Sequence, residues 1–422
     1  MIGRREQAGL RSLRPIPSTE NLALSPETLS RRTVAFVNLA HALDHFVLLI
    51  FPTAVIAIAA ERGGSYAALI GLSTGAFVAF GLFSLPAGWL ADRIGRRNLL
   101  AVFFLGCGGA CLGLATATAP LAFALWLLVL GVFASIYHPV GSAMLVTYAR
   151  QLGRALGVNG VWGNLGAAFA SGATALLAAA FGWRASFVLP GLVCLGSGIA
   201  FLHLVPGDGA RNSAGRKDGP ATIRVDRPVL LALVFAAAVI AGGMTFNIIT
   251  IVLPKVIDER LGIALPLTLV GSLATVVFVF GALTQLLVGR LVDRVPIPRI
   301  FVALAALQPL GLWLAAVSSG PPMLAGLVLV MAAIYGQVII NDAMVARYIP
   351  AAYRAKAFGV RYFLGFATSG LAVPLIGLLH GSGGFPLLLA AAGLFGVAIF
   401  ASAVVFYLAT RGRPVHALAA SK

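Results

Sequence analysis

Charged residues are scarce in this chain of 422 residues, since Asp, Glu, Lys and Arg together make up 10% of it. Soluble domains carry about 25% charged residues, so the composition excludes a soluble protein of one or several domains. The three cysteines lie inside apolar runs and offer neither a disulfide framework nor a zinc-finger spacing. The chain also lacks a Gly-x-x-x-x-Gly-Lys-[Ser/Thr] motif, which excludes ATP as a direct energy source.

Catalytic patterns are missing as well. No serine–histidine or two-carboxylate arrangement has a recognisable spacing, so the sequence predicts that the chain is not an enzyme. It also predicts no cofactor and no dedicated metal site. Residues 1–30 contain no apolar core before residue 34, so we expect no cleavable signal peptide.

Apolar residues dominate what is present, at 60% of the chain and a mean hydropathy of +0.98. They recur in runs of 18 or more, long enough to cross about 30 Å of hydrocarbon as helices. The 49 glycines agree with this, because small residues let membrane helices approach closely. The sequence therefore predicts an all-α polytopic membrane protein.

Glycine, proline and charged breaks divide the apolar runs into twelve predicted transmembrane helices. They lie near 33–59, 66–90, 98–117, 120–148, 154–180, 185–205, 228–254, 266–289, 299–318, 321–347, 357–379 and 386–410. The predicted organisation is a tail (1–32), a six-helix bundle (33–205), a linker (206–227), a second six-helix bundle (228–410) and a second tail (411–422).

The basic residues predict the orientation. With the first tail inside, 26 of the 30 Lys and Arg residues fall on the inner side, and four, Arg62, Arg184, Lys255 and Arg260, fall outside. Lys and Arg collect on cytoplasmic loops, so we expect both termini in the cytoplasm, in a bacterial inner membrane. This asymmetry explains the net charge of +17 without a nucleic-acid partner.

The two halves of the chain repeat each other. "GWLADRIGR" begins at Gly88 and "GRLVDRVPIPR" at Gly289, an offset of 201, while Pro52 and Pro254 are 202 apart. A parallel repeat of two six-helix halves is one architecture of secondary transporters, whose substrate site lies near the bilayer midplane between the halves.

The stretch "GWLADRIGRR" resembles the loop between helices two and three of the major facilitator superfamily, and this resemblance covers nearly the whole chain. Three further stretches, "LAHALDHFVLLIFP", "SIYHPVGSAM" and "GVWGNLGAAFASG", look like the fosmidomycin-resistance branch of efflux proteins. The resemblance implies proton-driven export of small molecules. It also implies a cytoplasmic gating motif of Gly88, Asp92, Arg93, Gly95 and Arg96, repeated as Asp293 and Arg294.

Ionisable residues inside the apolar runs are the candidates for proton coupling. Only two of the 13 acidic residues, Asp44 and Asp342, lie well inside predicted helices. A charged group at a helix centre costs about 2.5–3.5 kcal/mol on the insertion scale and faces the protein interior or a water-filled cavity. His41 and His45 lie within one turn of Asp44, so they could relay its proton. For Asp342, a structural ion pair with Arg347 or Arg361 is the alternative.

Other polar residues inside the predicted helices are candidates for substrate binding. Pro139 follows His138 and can break its helix there, which is tolerated where the backbone lines a cavity. The candidates are His138, Tyr137, Asn159, Trp162, Asn164, Asn247, Gln337 and Asn341.

Three functions remain open on the sequence. The first is a proton-coupled exporter of small molecules working by alternating access, as a monomer with substrate, protons and lipid as its partners. The second is movement of a divalent metal ion or its chelate, because His and Asp suit such ions. The third is a receptor or assembly factor on a transporter scaffold.

Overall fold

The computed structural model of the chain describes residues 26–149, 151–207 and 227–410, and it is almost entirely helical there. Most of the two predicted tails (1–32 and 411–422) and of the predicted linker (206–227) lies outside the described residues, so these boundaries stay predictions. The helices are α1 (Pro26–Arg62), α2 (Tyr66–Gly71), α3 (Thr74–Ile94), α4 (Arg96–Thr116), α5 (Pro120–Ala134), α6 (Tyr137–Tyr148), α7 (Leu152–Phe181), α8 (Ala185–Leu204), α9 (Pro228–Arg260), α10 (Leu267–Leu291), α11 (Ile297–Val317), α12 (Gly320–Tyr348) and α13 (Ala351–Thr410).

Eleven stretches of the described residues are long and apolar enough to cross a membrane. Two of them join short helices, α2 with α3 and α5 with α6. The last, Ala357–Thr410, has 54 residues, which is about 80 Å of helix at 1.5 Å per residue. It is broken at Gly384, whose φ of +64° lies in the left-handed region that favours glycine. That break divides it into two crossings, so the all-α fold with twelve crossings is confirmed.

Two helix pairs join the halves. Helix α3 packs on α13, where Ser369 Oγ donates to the Phe77 carbonyl at 2.9 Å. Helix α7 packs on α10, where the Gly172 amide donates to Thr275 Oγ1 at 3.1 Å. Because these bonds run between helices from opposite halves, they tie the two bundles together along both sides of the protein.

The two ends of the bundle differ in their basic residues. Arg62 donates to the Thr118 carbonyl at 2.6 Å, and Arg184 lies 3.6 Å from Glu61. On the second half, Lys255 pairs with Asp258 at 2.5 Å and Arg260 donates to the Ala316 carbonyl at 2.9 Å. We call this the far end, and the opposite end, where α3 turns into α4, the motif end. The four basic residues predicted to lie outside thus share the far end.

The halves also touch at the far end. The ring of Tyr66, at the start of α2, meets the ring of His380 on α13 edge-on at 5.0 Å. His380 Nε2 lies 3.6 Å from a carboxylate oxygen of Glu259 on α9. Tyr66 is buried by this packing, so the contact brings the halves together at the far end.

Candidate functional site

Four ionisable residues meet where α1 crosses α6. Three of them, His41, Asp44 and His45, come from α1, and the fourth, His138, comes from the first turn of α6. We call these four residues the histidine cluster. The imidazole rings lie edge-on, with centroids 5.4 Å apart for His41 and His138 and 5.6 Å apart for His45 and His138. The structure thus brings together candidates that the sequence places more than 90 positions apart.

Helix α7 supports the cluster from behind, and its glycines allow the approach. A Cβ added at Gly166 would lie 2.0 Å from the Ala42 carbonyl oxygen, and one at Gly163 would lie 2.5 Å from His41 Nε2. No real side chain tolerates such distances, so only glycine allows α7 to contact α1 this closely. The stretch "GVWGNLGAAFASG" therefore has a packing role beside the site.

A hydrogen bond to α7 fixes the ring of His41. Its Nδ1 lies 2.7 Å from the Asn159 carbonyl oxygen, and a carbonyl oxygen can only accept, so Nδ1 carries the hydrogen. In the neutral ring the lone pair is then on Nε2. The ring also stacks on Tyr137 at a centroid distance of 4.7 Å. His41 is thus held in one tautomer and one orientation.

Asn159 and Tyr137 belong to the frame around His41. The Tyr137 hydroxyl donates to Asn159 Oδ1 at 3.0 Å, and Asn159 Nδ2 donates to Asn38 Oδ1 at 3.0 Å. All three side chains are buried. These contacts hold Asn159, and through it the ring of His41, in place, while substrate binding by Tyr137 and Asn159 stays a prediction. Asn38 was missed by sequence reasoning, although it lies one turn before His41.

Asp44 is fully buried and faces His138. Its Oδ2 lies 3.4 Å from His138 Nε2, yet the alignment is poor. In the described structure, both carboxylate oxygens of Asp44 and the Nε2 of His138 lack a hydrogen-bond partner. A buried polar group without a partner is costly and calls for an explanation. This pair is the chemically unsatisfied point of the site.

The helix break before Pro139 places His138. Helix α5 ends at Ala134 and α6 begins at Tyr137, as the proline predicts, because it cannot bond to the carbonyl four residues earlier. The His138 side chain stays 17% exposed, so the surrounding helices do not enclose it completely. Its ring packs at 4.6 Å against Phe366 of α13 and at 5.8 Å against Phe80 of α3. The site therefore touches the second half.

The acid of the second half is paired. Asp342 lies 2.7 Å from Arg361 Nη1, one of its two predicted partners. The other, Arg347, pairs with Asp293 at 3.2 Å. Asp342 is on α12 and is not part of the histidine cluster, so the structure places the two predicted coupling acids in different environments.

The other candidates of the second half lie apart from the cluster. Gln337 accepts a hydrogen bond from Gln308 Nε2, and Thr245 Oγ1 donates to Gln308 Oε1 at 3.1 Å. All three are buried, so they form a polar contact between α9, α11 and α12. Asn341 is also buried on α12, and Asn247 Nδ2 donates to the Gly243 carbonyl at 2.8 Å.

Two candidates on α7 face different surroundings. Asn164 donates to Gln285 Oε1 of α10, so it helps to join the halves. Trp162 is 40% exposed. Neither belongs to the histidine cluster, and their role in substrate binding stays a prediction.

The predicted gating motif forms the tight turn between α3 and α4. Gly95 has a φ of +88°, which explains the need for glycine, and Gly88 lies about two turns earlier, on α3. Arg96 lies 3.7 Å from Asp92 and donates to Thr147 Oγ1 of α6 at 3.0 Å. Arg93 covers the Trp89 ring at 3.7 Å.

The gating charges contact residues of their own half in this structure. Asp92 and Arg96 belong to the first half, as does Thr147, while Asp293 pairs with Arg347 inside the second half. Arg294, beside Asp293, is exposed. A latch between the halves therefore stays a prediction for the state in which the motif end is closed.

Comparisons with known proteins agree with this architecture. The chain is 14% identical to a bacterial homolog of the human lysosomal transporter Spinster in an inward-facing and occupied conformation, with a TM-score of 0.74 over 92% of this chain and 98% of that one. The inward-facing and unoccupied form gives 13% identity and a TM-score of 0.70, over 91% and 97% of the two chains. These likenesses show the fold.

Comparisons of the sequence identify the family as well as the fold. The chain is 34% identical over 171 residues to the puromycin resistance protein pur8 of Streptomyces alboniger, a match that spans 39% of this chain and 33% of that protein. The profile of the Major Facilitator Superfamily matches residues 34–341 and 234–422. With the repeat, the loop motif and the twelve crossings already described, this match shows that the chain belongs to the Major Facilitator Superfamily.

Proposed function

We propose that this transporter exports small organic molecules in exchange for protons, by alternating access, without any enzymatic step. We place it in a bacterial inner membrane with both termini in the cytoplasm, because 26 of its 30 basic residues lie on one side of the predicted topology. In this orientation the motif end is cytoplasmic and the far end, where Tyr66 meets His380, is closed.

Asp44 carries the proton-coupling part of the proposal. It is 0% exposed, and both of its carboxylate oxygens lack a hydrogen-bond partner in the described structure. An ionised carboxylate in such a place is expensive, and binding a proton removes that cost. His138, 3.4 Å away and partly exposed, is the neighbour through which a proton can reach Asp44 from outside the histidine cluster.

The direction and substrate class rest on two similarities. The relative from Streptomyces alboniger is named a puromycin resistance protein, and three stretches of this chain, all within 39–172, resemble the fosmidomycin-resistance branch. Both names describe tolerance of an organic antibiotic. Export of organic molecules is therefore the proposal that these similarities favour.

A growth assay tests the proposal. An efflux-deficient bacterial host would express the wild type, Asp44→Asn or the control Glu27→Gln, which removes a carboxylate of an exposed pair with Arg31. The hosts would grow on puromycin, phosphonate antibiotics and biocides. We expect protection from wild type and control that Asp44→Asn loses at equal membrane expression. Sensitisation would indicate uptake and contradict export, and full protection by Asp44→Asn would contradict its role in coupling.

A further inference from the structure

The histidine cluster has more ligand atoms than proton transfer needs. One carboxyl group is enough to carry a proton, yet three imidazoles gather beside it, and that of His138 lies 3.4 Å from Asp44 Oδ2. One ligand nitrogen from each of His41, His45 and His138 lies within 4.8 Å of the other two. Converging imidazoles of this kind are the commonest ligands of divalent transition metals in proteins.

The spacing of the three nitrogens suits a metal ion after small side-chain rotations. Zinc binds histidine nitrogen at about 2.0–2.1 Å in tetrahedral geometry, which sets ligand atoms about 3.4 Å apart. The nitrogens of the cluster lie up to 4.8 Å apart, so a shift of about 1 Å or less per ring closes the site. His45 and His138 are partly exposed, so the cluster is not closed to an ion on every side.

His41 already has the form of a metal ligand. Its Nδ1 donates to the Asn159 carbonyl at 2.7 Å, which is how metal-bound histidines fix their tautomer and leave the other nitrogen for the ion. Its Nε2 lies beside Gly163 of α7, and the missing side chain there leaves room for the ring to rotate toward the other two histidines.

Asp44 supplies the negative charge that a buried cation requires. Its Oδ2 and His138 Nε2 lie 3.4 Å apart with no hydrogen bond between them, which is about the separation of two neighbouring ligand atoms around one tetrahedral ion. A divalent cation here would satisfy the carboxylate oxygens and the nitrogen together. Imidazole with carboxylate suits zinc, cobalt or nickel rather than calcium, magnesium or monovalent copper.

We propose that His41, His45 and His138 bind one divalent transition-metal ion of the zinc class, with Asp44 as its charge partner. This departs from the sequence, which predicts no dedicated metal site. Metal and proton then exclude each other at the cluster, since metal ligands must be deprotonated. That exclusion rests on the proposed function, whereas the binding itself does not.

Cobalt titration of the purified full-length transporter tests the site. Tetrahedral Co²⁺ gives strong visible absorption, and added Zn²⁺ should displace it. We expect one ion per chain in the wild type and an affinity at least 100-fold lower in His45→Ala and in His138→Ala. The control His203→Ala removes an exposed imidazole of α8 and should bind as the wild type does.

A milder variant separates metal binding from folding. His45→Gln keeps a polar side chain of similar length but replaces the imidazole nitrogen with an amide, so we expect about 10-fold weaker binding. Size-exclusion chromatography identifies variants that do not fold, and His45→Gln then replaces His45→Ala.

Two results would overturn the metal site. The first is a wild type that binds no stoichiometric Co²⁺ or Zn²⁺ at a metal concentration on the order of 100 μM, which is the dissociation constant of a weak protein metal site. The second is unchanged binding in a folded His45→Ala/His138→Ala double variant. Transport without metal binding would refute the metal site alone. Metal binding without proton-coupled transport would refute the proposed function alone.

Discussion

The two halves repeat one fold but treat their buried polar groups differently. In the second half, Asp342 has Arg361 at 2.7 Å, and Gln308 bonds to both Gln337 and Thr245. In the first half, Asp44 is fully buried and its oxygens lack hydrogen-bond partners in the described structure. Asp342 Oδ1 and Asn341 Oδ1 of the second half also lack hydrogen-bond partners in the described structure, so the difference between the halves lies in charge compensation. The guanidinium of Arg361 balances Asp342, whereas Asp44 has only the imidazole of His138 as an ion-pair partner among the described residues and remains ready to bind a proton or a cation. The comparison places the uncompensated acid in the first half.

Replacing the intramembrane acid of each half tests this difference most directly. We expect Asp44→Asn to lower proton-coupled transport at least 1000-fold, because the neutral amide cannot exchange a proton. Asp342→Asn should retain coupling, since its carboxylate serves the pair with Arg361. Substrate-induced proton movement in proteoliposomes measures both. Equal losses in the two variants would mean that the halves share the coupling chemistry.

The packing beneath the histidine cluster should show the largest loss of stability. Gly166→Leu places a side chain where a Cβ would lie 2.0 Å from the Ala42 carbonyl. We expect it to cost about 3 kcal/mol or more, because overpacking forces the two helices apart. Gly157→Leu is the matched control on α7, since nothing lies within 4 Å of an added Cβ there. Thermal unfolding in detergent compares them, and equal melting temperatures would refute the close contact.

The ion pair of the second half should behave as a structural element. Asp342→Asn leaves the buried guanidinium of Arg361 with weaker compensation, and we expect a loss of about 2 kcal/mol, below the value for a fully buried pair because Asp342 is 37% exposed. The double variant Asp342→Asn/Arg361→Met should recover part of that loss. A melting temperature as low as that of Asp342→Asn alone would argue against the pair.

Two substitutions that each remove one hydroxyl group compare the halves on a smaller scale. Tyr137→Phe removes the hydrogen bond to Asn159, and Thr245→Val removes the one to Gln308. Each should cost about 1 kcal/mol of stability. Only Tyr137→Phe should also slow transport, because Asn159 holds the ring of His41. Matched transport rates in the two variants would contradict a positioning role for Tyr137.

Sequence reasoning predicted the fold well because membrane constraints leave few solutions. A helix that crosses hydrocarbon must be long and apolar, so the crossings, the repeat and the turn at Gly95 are readable from composition and motifs. Asp44 was recognisable for the same reason, since a carboxylate in an apolar helix is rare. Its approach to His138 was not predicted, because only the packing of α1 against α6 brings the two residues together.

The direction in which each polar side chain points was not predictable. Each position rotates a side chain by about 100° around its helix, and the neighbouring helices decide which direction is inward. The bond of Gln337 to Gln308 between two helices, for example, left no trace in the sequence. Phe366 gave no signal at all, because a phenylalanine in a membrane helix has the same appearance whether it covers a site or meets lipid.

The contact between His138 and Phe366 would couple binding at the histidine cluster to movement of the two halves. His138 belongs to the first half and Phe366 to the second, with ring centroids 4.6 Å apart. In the alternating access that we propose, rocking of the halves would exchange this aromatic cover for water, which would change the free energy of holding a positive charge at His138 without any rearrangement inside the first half. Thermodynamic linkage makes the relation reciprocal, so whatever binds at the cluster biases the balance between inward-open and outward-open populations by the same free energy.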